Sequence, residues 1–339
     1  MKKLEKFEKF VVRKINRKVL IDKTLTIFMA NLGLDVSKAI TLTTTGTSEA
    51  VTIIVDRLTI GDSTSVLLSG QTSILVTEDF INNGIVRYTS CTSHAIINFL
   101  QTGDMTFKSN NAEFCNLVID KSDGGITVSD TLNISGNITV LNGDFANSAS
   151  LTTGTMIVND TWNLNGPACI CQNLTITEKG SLNAQGHAIS IAGNWTTAGD
   201  FIPDNNIVIF NGLSEQNLSI YGASRQLTFA SLKLNCSYLN LQAPLFVEHD
   251  LQVLSGTLDA NGHDIFTSGN WKNEDHFFHS ESDVYLNAAS GEHTLRQTDS
   301  FYNMTIGVTG GRTTIRLLSS VTIENQLNIL PHNISLINN

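Results

Sequence analysis

Residues 181–195 read SLNAQGHAISIAGNW and residues 257–271 read TLDANGHDIFTSGNW. They align without a gap at one constant offset, Ser181 on Thr257 through Trp195 on Trp271. The match continues through Phe201 and Phe277, then through Ile207-Val208-Ile209-Phe210-Asn211 and Asp283-Val284-Tyr285-Leu286-Asn287. Self-similarity at a fixed offset over this length is internal duplication, the mark of a repeat architecture. A second motif recurs as FCNLVI (114–119), FASLKL (229–234) and FYNMTI (301–306), with a copy lacking the Phe, CQNLTI (171–176). Glu78-Asp79-Phe80 precedes FCNLVI by the same interval at which Gly193-Asn194-Trp195 precedes FASLKL. Val140-Leu141-Asn142-Gly143 likewise answers to Val253-Leu254-Ser255-Gly256. About three and a half worn copies therefore cover residues 74–330.

Within each copy, runs of three to six residues alternate apolar and polar, as at Leu132/Ile134, Leu174/Ile176, Leu239/Leu241 and Val321/Ile323. Asn-Gly, Ser-Gly and Gly-Gly turns separate them. Strands this short bury a face only by stacking coil on coil, the logic of a solenoid. The expected fold is all-β, a right-handed parallel β-helix (β-solenoid), each repeat unit supplying three to four coils. At a strand spacing of ~4.8 Å, a dozen coils would make a rod roughly 60 Å long. Stacking places like over like, so Asn, Ser and Thr are expected in hydrogen-bonded ladders. The Trp or Phe of the Gly-Asn-Trp motif is expected to pack as an aromatic step.

Composition agrees. Of 339 residues, 41% are hydrophobic and 15% charged, with only four prolines. That excludes disorder, which needs low hydrophobicity and high charge. The 25 glycines show no collagen period. The net charge of −10 divides unevenly: residues 1–23 carry +6 and the remainder −16. An acidic body argues against nucleic-acid binding, which depends on clustered Lys and Arg. No stretch reaches the ~18 consecutive apolar residues of a spanning helix, so no transmembrane span is expected.

Residues 1–23 form a separate pattern, with Leu4, Phe7, Val11 and Ile15 at helical spacing among basic side chains. This reads as a basic amphipathic helix. Three roles stay open for residues 1–39. One is an export signal, with the apolar run Leu25, Ile27, Phe28, Met29, Ala30 and Leu32 and a small-x-small site at Ser37-Lys38-Ala39. The others are a cap on the solenoid and a membrane-surface helix. The expected organisation is 1–39 as this basic segment and 40–339 as the repeat domain.

The combination of Gly-Asn-Trp, Thr257-Leu258-Asp259-Ala260-Asn261-Gly262-His263, the Val-Tyr-Leu-Asn strand at 284–287 and FYNMTI resembles the repeats of large secreted bacterial cell-surface proteins, the adhesin-like parallel β-helices. The resemblance covers residues 74–330 and is strongest from 181 to 306. It implies an extracellular or cell-surface setting and a structural or adhesive role, with no catalytic residues. The chain departs from that family in carrying no recognisable anchor or sorting signal at its carboxyl end.

Candidate chemistry is sparse. Cys115 and Cys171 hold one slot in their motif copies, a slot with inward parity filled elsewhere by Ala230 and Tyr302, so core filling is the preferred reading. A disulfide stays open, and the odd count of five (Cys91, Cys115, Cys169, Cys171, Cys236) leaves at least one free thiol. Cys169-x-Cys171 has the wrong spacing for a zinc knuckle. Histidines and acids cluster as Glu248-His249-Asp250 and as Glu274-Asp275-His276 with His279. The copy preceding the second cluster has no His, so a solvated loop is favoured over a metal or carbohydrate contact. No Asp-Asp pair or Asp-rich turn stands between strands, which argues against the paired carboxylates of a glycosidase or the calcium-binding acids of a lyase. No catalytic, cofactor-binding or metal-ligating residue is therefore expected. The expected function is a non-catalytic extracellular structural or adhesive rod, with a carbohydrate-active β-helix enzyme as the alternative. Expected partners are a second solenoid stacked on the carboxyl-terminal coil, which ends strand-like in Leu327, Ile329, Pro331, Ile334 and Leu336, and surface glycans or a neighbouring cell surface.

Overall fold

The structure, a computed structural model, describes residues 19–21, 26–36, 40–44, 51–60, 65–68 and, from 72 to 338, all except 94, 101, 111, 223–225, 289, 309–311 and 331–333. Its contacts divide the chain into two units, Met1–Gly166 and Pro167–Asn339. Both are all-β, the described strands pair in parallel, and the turns of parallel β-solenoid number about 13 in all. Among the described residues there is no helix. Of the basic helix expected at the amino terminus, residues 1–18 lie outside the described residues. Val19–Ile21 is a strand paired with Leu42–Thr44. Of the apolar run read as part of an export signal, Ile27 to Leu32 fall in the strand Thr26–Val36, paired with Thr52–Ile60, while Leu25 and Ser37-Lys38-Ala39 lie outside the described residues.

The period-2 alternation explains the core. In Asn116–Val128 the buried positions are every second residue on either side of a bend. Parallel register then stacks them. In the first unit one inward ladder runs Ile53, Ile74, Ile97, Leu117, Ile138, Met156. In the second, another runs Cys169, Ile189, Val208, Leu232, Leu251, Trp271, Leu295. All are buried. Each large apolar side chain so placed contributes about 1.5–3 kcal/mol, and no single coil could enclose it alone. Coil length varies along these ladders: the step from Ile138 to Met156 is the shortest and that from Val208 to Leu232 among the longest.

The duplication and the coil are out of phase. Four steps along the second ladder carry Ile189 past its repeat mate, Ile265, and on to Trp271. Ile265 therefore falls on a different ladder, with Leu245 and Val284. Trp195 sits in line with Leu174, Leu218 and Leu241, while Trp271 sits in line with Leu232 and Leu251. Since Leu232 and Leu241 are separate positions of one coil, each copy is turned onto another face. The local geometry is nonetheless reproduced. Gln185 and Gly186 have φ of 48° and 75°, their mates Asn261 and Gly262 have 49° and 75°, and Asp204/Asn205 match Ser280/Glu281 within a few degrees.

The expected polar ladders and aromatic steps are present. Asn173 Oδ1 accepts the Asn194 N–H at 2.9 Å, and Asn194 Oδ1 accepts that of Asn217 at 2.8 Å. Asp250 and Asn270 do the same one coil apart, as do Asn116 and Asn137. The glycine of the Gly-Asn step follows from this: at Gly193 a Cβ would run into the Asn173 carboxamide. Trp195 packs edge-on to Phe201 and Phe229, with centroids at 4.9 and 5.2 Å. Trp271 repeats this with Phe277 and Phe301, each at 5.2 Å. Phe80, aligned with these tryptophans from sequence, packs likewise against Phe99, Phe107 and Phe114.

The shared slot of Cys115 and Cys171 needs revision. Cys115, Cys171 and Ala230 are buried, but Tyr302 is only half-buried and stacks on His279. Cys115 fills the core and is also bridged to the exposed Cys91, with Cα atoms 5.2 Å apart. In the last described coil, Leu327, Ile329 and Leu336 continue the inward ladders of Met304, Ile306 and Ile315 but are 43–48% exposed.

Candidate functional site at an acidic corner

One corner of the first unit gathers groups that lie far apart in sequence. A cavity of 340 Å³ is lined by Lys121, Ser122, Asp123, Gly124, Asn142, Gly143, Asp144 and Asp160. Successive coils pass here through Gly103, Gly124 and Gly143, with φ of 75°, 67° and 84°. A Cβ on Gly143 would lie 2.9 Å from both the Gly124 carbonyl oxygen and Lys121 Cβ. Glycine is thus required by both the left-handed conformation and the close approach.

The acids beside these glycines bind the neighbouring backbone. Asp123 Oδ1 accepts the Gly103 N–H at 2.6 Å, and Asp104 Oδ1 accepts that of Gly125 at 2.9 Å. Asp160 accepts from Gly143 N through Oδ2 and from Thr161 N through Oδ1, both at 2.9 Å. Asp120 Oδ1 accepts from Asn142 Nδ2 at 2.6 Å. Lys121, on the strand between Asp120 and Asp123, is buried. Burial pushes its ammonium below the usual lysine range, and the charges of Asp123 and Asp104 pull the other way. Chemically, the corner offers carboxylates around a polar cavity with a buried lysine in its wall, an arrangement suited to hydrogen-bonding a polyhydroxylated molecule.

The expectation concerned Asp-Asp pairs and Asp-rich turns between strands; these acids are brought together by stacking instead. Along the chain Asp104, Asp123, Asp144 and Asp160 follow one another at intervals of roughly one coil, so they meet across coils rather than within a turn. The signal available in sequence was glycine beside aspartate recurring at that spacing, at Gly103-Asp104, Asp123-Gly124 and Gly143-Asp144.

The sequence-derived clusters do not converge. His276 pairs with Asp275 at 3.4 Å and Asp299 at 3.8 Å, whereas His279 pairs with Glu324 at 3.4 Å. Glu274 is held by Lys272 and Arg296 at 3.0 and 3.1 Å. In the other cluster, Asp250 serves the Asn270 ladder and His249 Nε2 lies 3.1 Å from Asn205 Oδ1. Among the described residues, no three His, Cys, Asp or Glu side chains are placed to share a metal ion. Comparison of the chain with family models, curated proteins and solved structures returns no match.

Proposed function

We propose that this chain is a non-catalytic structural β-solenoid, secreted or displayed at a cell surface, and that it serves as a spacer or adhesin module. The observation that carries this reading is the use made of the outward polar groups: Asn173, Asn194, Asp250, Asn270, Asp123, Asp104 and Asp160 all bind the backbone of an adjoining segment. Even the Asp160 contact to Gly143 has a second version, Asp275 Oδ2 accepting the Gly256 N–H at 2.6 Å. Such groups hold coils together. The Cys91–Cys115 bridge supports an oxidising compartment outside the cytosol. A second solenoid and surface glycans are the proposed partners.

A second reading, a polysaccharide lyase or glycoside hydrolase, is favoured by the Lys121 cavity with Asp123, Asp144 and Asp160 on its walls. A panel of neutral and acidic polysaccharides separates the two. The structural reading expects glycan or cell-surface binding, or none, with no new reducing ends or unsaturated products. Turnover of any polysaccharide that is abolished in Lys121→Met and Asp144→Asn would replace it with the enzymatic one.

A further inference from the structure

Cys169, Cys171 and Cys236 are buried and form no disulfide. Cys169 and Cys171 stand two apart on the strand Ala168–Ile176, so both point inward, with Ile170 between them facing out. Each is 1% exposed, and across the ladder they meet Ile189 and Ile191. Hydrogen bonding with Cys169 first, and burial second, push the Cys171 thiol well above its usual ionisation range.

An extended strand separates residues two apart by about 6.6 Å, at the upper limit of what a disulfide spans. Cys91 and Cys115, at 5.2 Å, sit comfortably within that range. The pair is a dithiol where Cys91–Cys115 is bridged. Two facing sulfurs in an apolar wall suit a particular kind of ion. Zinc asks for four ligands, and Ile189 and Ile191 supply none. A monovalent soft ion on two thiolates would leave a net negative charge in the core, which is costly. A soft divalent ion content with two sulfur ligands leaves the complex neutral.

We propose that Cys169 and Cys171 form a two-coordinate site for a soft divalent ion of the mercuric class. With mercuric chloride, two S–H bonds break and two metal–sulfur bonds form, while two chlorides and two protons leave; nothing is oxidised or reduced. Because both thiols must give up protons, uptake strengthens as pH rises. Entry requires the strand to open locally, so it is slower than at an exposed thiol.

The test is a titration of the folded full chain, disulfide intact, with mercuric chloride in weakly buffered solution while released protons are counted. The expected result is two protons for the first ion bound, unchanged in Cys236→Ala. Cys169→Ala and Cys171→Ala, checked for native circular dichroism, should release one proton per ion and surrender it to a competing monothiol. One proton for the first ion in the unmodified chain, no uptake by the folded chain, or loss of the tight site in Cys236→Ala would each overturn the assignment. The unmodified chain's proton count decides the matter even if the core variants fail to fold.

Discussion

Trp195 and Trp271 are a matched pair for measuring one buried hydrogen bond. Both are buried and packed between two phenylalanine rings at closely similar distances. They differ at the indole nitrogen. Trp271 Nε1 donates to Gln297 Oε1 at 2.8 Å, whereas Trp195 Nε1 is buried with no partner. Replacing either by phenylalanine removes similar volume and leaves a similar cavity, so that cost largely cancels between the two. Trp271→Phe also breaks a hydrogen bond, about 1 kcal/mol net, and strands the Gln297 oxygen, about 1–3 kcal/mol. Trp195→Phe instead removes an unsatisfied N–H, which returns part of its packing loss. Trp271→Phe is thus expected to be the more destabilising by about 2 kcal/mol, roughly 30-fold in a local opening equilibrium. Hydrogen exchange by mass spectrometry reads this at Glu274 N, bonded to Val253 O, and at Ala198 N, bonded to Ile176 O. Both lie in the second unit, so they share conditions and reference state. Equal loss of protection in the two variants, or greater loss in Trp195→Phe, would refute the reasoning.

Other consequences follow from single contacts. Removing the Cys91–Cys115 bridge by Cys91→Ser, which leaves Cys115 packed, should cost about 3.4 kcal/mol for a sequence separation of 24. Denaturation of the first unit should show the loss, and reductant should reproduce it in the unmodified chain but have no effect on the variant. Gly143→Ala, forced into φ of 84° against Gly124 and Lys121, should cost about 2–3 kcal/mol, read as a lowered thermal midpoint. Tyr238, hydrogen-bonded to Asp259, is pushed up to about 12, by burial first and that bond second. A raised folded-state value means its stabilisation is complete below the unfolded value near 10 and is lost as pH rises toward 12. Urea midpoints between about pH 9 and pH 11.5 should therefore fall further in the unmodified chain than in Tyr238→Phe.

The solenoid was legible because its two signals are local. Period-2 alternation depends on strand geometry alone, and the self-match of 181–195 with 257–271 needs no knowledge of what touches what. The Asn ladder at 173, 194 and 217 was legible for the same reason, since parallel stacking brings like positions together wherever the strands lie. The acidic corner was not, because its assembly depends on coil lengths. Steps as unequal as Ile138 to Met156 and Val208 to Leu232 offer no fixed period along which to project Asp104 onto Asp123 and Asp160. Cys115 and Cys171 show a further limit: one motif slot, two fates, decided by whether Cys91 or Cys169 is the sulfur within reach.

The mismatch between the sequence repeat and the longer four-coil step bears on where function can reside. A motif that worked by displaying a surface would need its copies on one face, and Gly-Asn-Trp is turned onto another face from one copy to the next. A motif that works by joining a coil to its neighbours is indifferent to the face it occupies. That is what the Gly-Asn step and the Trp-Phe-Phe cluster do: both copies of the motif join neighbouring coils. Whatever is specific to this chain should therefore be sought among side chains present once. The Asp–Gly cap of the acidic corner recurs as Asp275 on Gly256, but by the alignment of FCNLVI with FASLKL and of Val140–Gly143 with Val253–Gly256 the mates of Lys121, Asp123 and Asp144 are Cys236, Tyr238 and Thr257. Lys121, Asp123 and Asp144 are thus residues of that corner which the repeat does not carry.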